Sequence, residues 1–419
     1  MRWNSMAFIL ALVGSLCLSA SAEDWPQWRG PERNGISRET GLLKEWPKDG
    51  PPLLWSRSDI GYGYSTPSVV GERICLLSNT GMENEYALAL DIKDGKKIWE
   101  TRLGKVGPNN YPAARSTPTV EGDVLYALGS DGDLACLETA SGKVRWAKNL
   151  RKEFAGKPGF WAYSESPLID GDRLICTPGG KEATMVALNK QTGEPIWKCA
   201  VPKGDYASYS SPMKMTVGGV TQYVQLVTGG LIGVEAATGK LLWRYDPVAK
   251  NSMANIPTPV VMGDMIYGSG TELGALLKLK ADNGAMTAEP VYSRNKLPRG
   301  IGGAVEWEGY LYGTSGQTMY CTEFATGKEC WTQRGVGAGA LCYAEGRLYH
   351  HGESGEVKLI EATPEAYREK GRFKPAVLPE RKWGSAEKAW SYPVIASGRL
   401  YIRDLNMLWC YDVREGNGK

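Results

Sequence analysis

The sequence predicts an all-β fold, an eight-bladed β-propeller of four-stranded antiparallel blades whose ring is closed by an N-terminal strand. Three observations carry this expectation. A glycine-turned hairpin ending in Trp recurs along the chain, strands led by Pro precede it at intervals of about 45 to 50 residues, and four strands of that spacing make one blade. The N-terminus, finally, holds one spare strand where the last unit lacks one.

The hairpin is clearest from Ala87 to Trp99, where an alternating apolar strand runs into a turn at Gly95 and a second strand ending in Trp. Copies end at Trp146, Trp197, Trp243 and Trp331. Ahead of them stand Ser65-Thr66-Pro67, Ser116-Thr117-Pro118 and Ser166-Pro167, each followed by a strand that opens on Gly71, Gly122 or Gly171. Unit five carries Tyr292 where Trp would stand, with its turn at Asn283 and Gly284. Unit seven runs from Ala340 to Trp383, its last hairpin swollen by the charged stretch 364–381. The eighth ends with the strand Leu408 to Asp412, and Pro51 to Trp55 is the orphan that fits the gap. Closing a ring this way hides edges that an open array exposes. Trp55, Trp99, Trp146, Trp197, Trp243, Trp331 and Trp383 are expected to wedge between blades, each burying an indole for about 2 to 3 kcal/mol.

Composition agrees with a β-rich chain, because 42% hydrophobic residues include only 5 phenylalanines and are broken up by 52 glycines. Residues 1–22 read as a secretory signal: Arg2, an apolar run from Met6 to Leu18, then Ala20-Ser21-Ala22 as the small-residue cleavage site. This apolar run is too short to span a bilayer. Loss of Arg2 takes the net charge from +3 to +2, which supports neither a nucleic-acid groove nor a membrane-seeking face. The expected organisation is a signal at 1–22, an N-terminal extension at 23–49, the propeller at 50–414 and a tail at 415–419, in a monomer exported to the periplasm or beyond.

The repeat at 87–99 and its copies resemble those of PQQ-like β-propellers, a group that contains quinoprotein alcohol dehydrogenases and the assembly factor BamB. The stretch Asp24 to Ser37, with Trp25, Trp28, Arg29, Gly30, Arg33 and Gly35, resembles the leader segment of exported bacterial members of uncharacterised role. Enzymes of the group use a quinone over the propeller axis, a calcium ion, a carboxylate base and, in the alcohol dehydrogenases, a disulfide between adjacent cysteines. No two cysteines are adjacent here, and no residue matches the calcium ligands or the base by motif. Fold alone does not grant that chemistry.

The titratable residues point the same way. His350 and His351 are neighbours in one strand, so they face opposite sides and hold no metal alone. Asp91, Glu138 and Glu235 recur at one hairpin position and are expected to stabilise turns. Cys136, Cys321 and Cys410 sit at one place in three blades, too far apart to pair, whereas Cys321 and Cys330 are expected opposite each other across a hairpin and able to form a disulfide.

The informative residues lie just before the innermost strands, at one mouth of the channel: Tyr64, Arg115, Trp161, Tyr163, Glu165, Tyr209, Asn255, Arg299 and Trp390. Aromatic rings beside a few charges suit a planar ligand, a sugar or an extended peptide; equally, rings can simply fill a funnel. The expected function is a non-catalytic exported scaffold that binds a protein segment or a small ligand at this mouth, with no catalytic residues, no metal and no cofactor. A PQQ-dependent or related oxidoreductase is the first alternative and a carbohydrate-binding propeller the second.

Overall fold

The computed structural model describes residues 23–107, 114–202, 205–252, 254–282, 285–382 and 387–416. The predicted signal, the turn at Asn283 and Gly284, and Trp383 lie outside these residues. Eight four-stranded antiparallel blades, the seventh extended by the parallel strand Ile36–Ser37, follow one another around a ring, and among the described residues two short helical turns, Leu150–Glu153 and Pro247–Ala249, interrupt them. Blade one shows the plan, running from inner to outer edge as Ser68–Val70, Arg73–Thr80, Asn84–Asp91 and Lys97–Lys105. Blade eight is composite: Leu53–Arg57 pairs antiparallel with Met407–Asp412, with Trp55 opposite Cys410 and Arg57 opposite Leu408. The N-terminal strand therefore completes the last sheet.

Six of the eight blades are bonded to the next by the residue that closes the hairpin. Trp99 Nε1 donates to the Thr139 carbonyl at 2.9 Å, Trp146 to Lys190 at 3.0 Å, Trp197 to Ala236 at 3.1 Å and Trp331 to Thr363 at 2.8 Å. Trp55 of blade eight reaches Ile92 of blade one at 3.2 Å, and the Tyr292 hydroxyl does the same work for blade five at Phe324. The turn glycine of the repeat is required by this packing. At Gly142 φ is +72° and an added Cβ would lie 2.6 Å from the Trp99 ring, so both conformation and space demand glycine. Trp243 departs from the pattern and bonds Gln222 of its own blade at 2.6 Å. The carboxylates at 91, 138 and 235 cap the same turns: the Asp91 side chain, for example, accepts from Lys93 N at 2.7 Å.

Two expectations are corrected here. The outer strand of blade seven is Glu369–Phe373, not a segment ending at Trp383, and Gly371 stands opposite Leu359 where Trp331 stands opposite Cys321 in blade six. The missing indole comes from the N-terminal extension. Trp46 N bonds the Lys370 carbonyl at 2.9 Å, its Cβ lies 2.6 Å from where a Cβ on Gly371 would be, and its ring is 5.9 Å from Tyr349. That spacing resembles the 6.3 Å of the Trp146–Tyr126 and Trp331–Tyr312 pairs. Trp46→Ala should therefore cost about 3 to 5 kcal/mol in urea unfolding, as for a buried core aromatic; a loss below about 1 kcal/mol would show that the side chain does not hold blade seven. The second correction concerns the cysteines. Register sets Cys321 opposite Trp331, with Cys330 as the extra residue of a bulge, and both are free thiols.

The extension threads the central channel. It starts at the ends of the inner strands, where Gly71 N bonds the Asp24 carboxylate, Trp25 pairs with Val69, and Ile36–Ser37 runs parallel to Tyr343–Ala344. Between these anchors the chain rises and turns back, its tip formed by Trp28 to Arg33. Arg33 joins blades three and four: its guanidinium donates to the carbonyls of Pro212 at 3.0 Å, Pro167 at 3.1 Å and Ser166 at 2.9 Å, and to Gln27 Oε1 at 3.0 Å. Arg29 donates to Ala304 O of blade six and to Asn34 O. Pro26 O accepts from Val120 N of blade two.

Candidate binding cup

The chain segments that lead into the inner strands surround a cavity of about 300 Å³ at one mouth of the channel. Tyr64 and Thr66 enter from blade one, Arg115 from blade two, Trp161 and Ser164 from blade three, and Tyr209 from blade four. Ala254, Ile256 and Ile301 complete one side, Trp390 and Tyr392 of blade eight the other, and Trp28 of the extension lies below. Of the nine residues expected at this mouth, five share the cavity: Tyr64, Arg115, Trp161, Tyr209 and Trp390.

The other four are turned elsewhere. Asn255 lies between two lining residues in an extended stretch, so alternation sends its amide into the wall, where it bonds Val227 O at 2.9 Å. Glu165 follows the lining Ser164 and is likewise turned inward, accepting from Thr177 N at 2.5 Å and Gln225 Nε2 at 2.9 Å. Ala162, with φ of +69°, breaks the alternation after Trp161, and Tyr163 is buried with its hydroxyl on Pro178 O at 2.7 Å. Arg299 bonds Thr271 O and borders a separate depression beside Lys250. Sequence reasoning missed Trp28 from this set, because the leader lies outside the repeat frame that placed the others. Tyr111, four residues before Arg115 in the sequence, lies outside the described residues.

The walls are paired rings. Tyr64 and Trp390 have centroids 4.9 Å apart, Trp161 and Tyr209 5.8 Å, and Trp28 meets Tyr392 edge to face at 4.5 Å. Arg115 is the one cationic side chain lining the cavity among the described residues, held to Trp161 O at 2.5 Å. Burial lowers its pKa, while Tyr64, Glu85 and Tyr209 favour the charged form. The Tyr64 hydroxyl is buried without a hydrogen-bond partner among the described residues, and desolvation raises its pKa. The Tyr209 hydroxyl accepts from Trp161 N at 2.9 Å. Behind the wall, burial pushes Glu85 and Glu165 up to about 7; Thr177 and Gln225 occupy both Glu165 oxygens, whereas Ser130 bonds one oxygen of Glu85 and the other has no partner among the described residues. His350 and His351 are buried in the second strand of blade seven, away from the cup lining.

Residues 83–333 match the family described as outer membrane protein assembly factor BamB. The chain belongs to this PQQ-like propeller family. BamB of Burkholderia pseudomallei is 25% identical over 329 residues, spanning 58% of this chain and 84% of its own length. Quinoprotein alcohol dehydrogenase PedH of Pseudomonas putida is 24% identical over 279 residues, 65% of this chain and 42% of that protein. The match to BamB of Alkalilimnicola ehrlichii spans about half the length of each protein, 49% and 48%. Among solved structures, BamB from Moraxella catarrhalis superposes with a TM-score of 0.60 at 13% identity, covering 88% of this chain and 99% of that one. Quinohemoprotein alcohol dehydrogenase from Comamonas testosteroni gives 0.66 at 12% identity, covering 94% and 81%. At such identities these likenesses establish the shared fold.

The dehydrogenase branch of the PQQ-like family implies a quinone with a calcium ion. Calcium takes about six to eight oxygen ligands with carboxylates among them. The cup offers none: its described lining residues include no Asp, Glu, Asn or Gln, and no cluster of three or more His, Cys, Asp or Glu that could hold a metal occurs among the described residues. The donor set does not fit that group.

Proposed function

We propose that this PQQ-like propeller is an exported, non-catalytic scaffold whose aromatic cup binds one ring-bearing group, either a side chain of an extended protein segment or a small planar ligand. The observation that carries the reading is the cup itself: paired rings on several sides, one cation and two buried hydroxyls, of Tyr64 and Ser164, that have no partner among the described residues, in about 300 Å³. That volume lies at the small end of ligand pockets, so it takes a ring or a side chain and not a folded partner. Aromatic anchors seated in such pockets dominate binding energy at protein interfaces. Exposed Phe160 packs on Trp161 at 5.2 Å and extends the apolar surface outward from the cup. Export rests on the signal-like composition of residues 1–22, and the assembly-factor relatives favour a protein segment as the ligand. No helix among the described residues is long and apolar enough to cross a membrane.

Purification from the exported fraction, with a photoreactive amino acid at position 160, tests this. The expected result is a crosslinked segment or a co-purified ring compound that is lost in Trp161→Ala. A quinone chromophore bound in the cup would instead favour the oxidoreductase reading, and a released sugar the carbohydrate one. Recovery unchanged by Trp161→Ala would remove the cup from the account.

A further inference from the structure

The leader segment is bonded or packed to every blade, yet the ring does not need it for closure. Leu53–Arg57 already completes blade eight and hides the last edge. What residues 24–37 add is a fixed object inside the channel, and its construction favours position over simple filling. Two guanidiniums are buried there, and a buried cation is a poor filler compared with an apolar side chain of equal volume. In return, Arg33 makes four directional bonds that set the height and rotation of the tip. Trp25 is 1% exposed and packs over Gly30, where φ of +85° favours glycine and an added Cβ would lie only 3.0 Å from the indole.

Trp28 is held differently. Its indole N–H is spent on Thr258 Oγ1 of blade five at 2.9 Å and its edge meets Tyr392 of blade eight, which fixes the ring. Yet Trp28 is only partly buried, and the surface it keeps borders the cavity. A ring immobilised from two sides and left open on a third is preorganised for contact. We infer that Trp28 is the ligand-contacting floor of the cup, so that the binding site is complete only when residues 24–37 are docked in the channel. This rests on the reading of the cup as a binding site. It gives the leader a function: to carry one aromatic contact from outside the repeat into a site whose walls the blades supply.

The full-length protein, titrated with anilinonaphthalene sulfonate as a probe of aromatic and anionic character, tests the inference. Wild type should show one saturable site that Trp161→Ala weakens. W28A should weaken the probe by about tenfold or more, the effect of losing an aromatic anchor, with little change in melting temperature. W28F, which keeps a ring, should recover most of the affinity, and W28L, which keeps bulk without a ring, should not. If W28A fails to fold, the Phe and Leu variants decide: equal affinities overturn the inference, and a clear preference for Phe supports it. Affinity unchanged in W28A and W28L while W161A weakens it overturns the floor and leaves the cup standing. No saturable site in wild type, or one indifferent to W161A, overturns the cup reading and the floor with it.

Discussion

Arg33→Ala should destabilise the protein by about 3 to 5 kcal/mol, although Arg33 belongs to no blade. The loss follows from what the substitution leaves behind. Carbonyls of Ser166 and Pro212, buried where the inner strands of blades three and four begin, lose the Arg33 donor together, and that of Pro167 is left with Thr119 Oγ1 alone. A buried polar group left unpaired costs about 1 to 3 kcal/mol, and relaxation of the tip recovers part of that. Arg33→Lys keeps the charge and loses the planar fork, so it should recover only a fraction. Urea unfolding followed by far-ultraviolet circular dichroism measures both. A change below about 1 kcal/mol in R33A would mean that the leader is not docked in solution.

Truncating the chain to begin at Ser58 should have a larger effect still. The cut removes Leu53–Arg57 and exposes the full length of Met407–Asp412 as an unpaired edge beside the partly unsealed blade one. It also removes Trp46, which covers Gly371, and the leader that bonds inner strands or the segments leading into them. The expected product is an aggregating chain without a cooperative transition, because an apolar unpaired edge templates further pairing. A truncated monomer that melts cooperatively would contradict the closure.

Much of the ring was legible because it repeats. One hairpin, read at Ala87 to Trp99, gave the strand order, the turn glycine and the place of the indole in most other blades, and the gap after Asp412 matched the spare strand ending at Trp55. The walls of the cup were legible for the same reason, since equivalent positions in a closed ring converge. Reasoning from the repeat failed where side-chain direction depends on one dihedral: Glu165 and Asn255 lie beside lining residues and face away, and Ala162 turns Tyr163 inward. It failed again where the repeat is broken from outside. Nothing periodic marks Trp28 as a floor or Trp46 as the indole of blade seven, and both come from a segment that shares no pattern with the blades. A signal was nonetheless present. Two tryptophans, two arginines and two glycines crowded into Trp25 to Gly35 are costly residues for a tether and reasonable ones for a packed hub.

Titration of anilinonaphthalene sulfonate into wild type, Trp161→Ala and Trp390→Ala, with melting curves from the same samples, tests the central claim most directly. Both side chains are partly exposed in the cup, and neither closes a blade hairpin. If the cup binds, each substitution should weaken the probe by more than about 1 kcal/mol, as aromatic anchors do, while the melting temperature stays within a few degrees of wild type. If affinity is unchanged and the melting temperature falls instead, the rings only fill the mouth of the channel, and the account of a binding cup is contradicted.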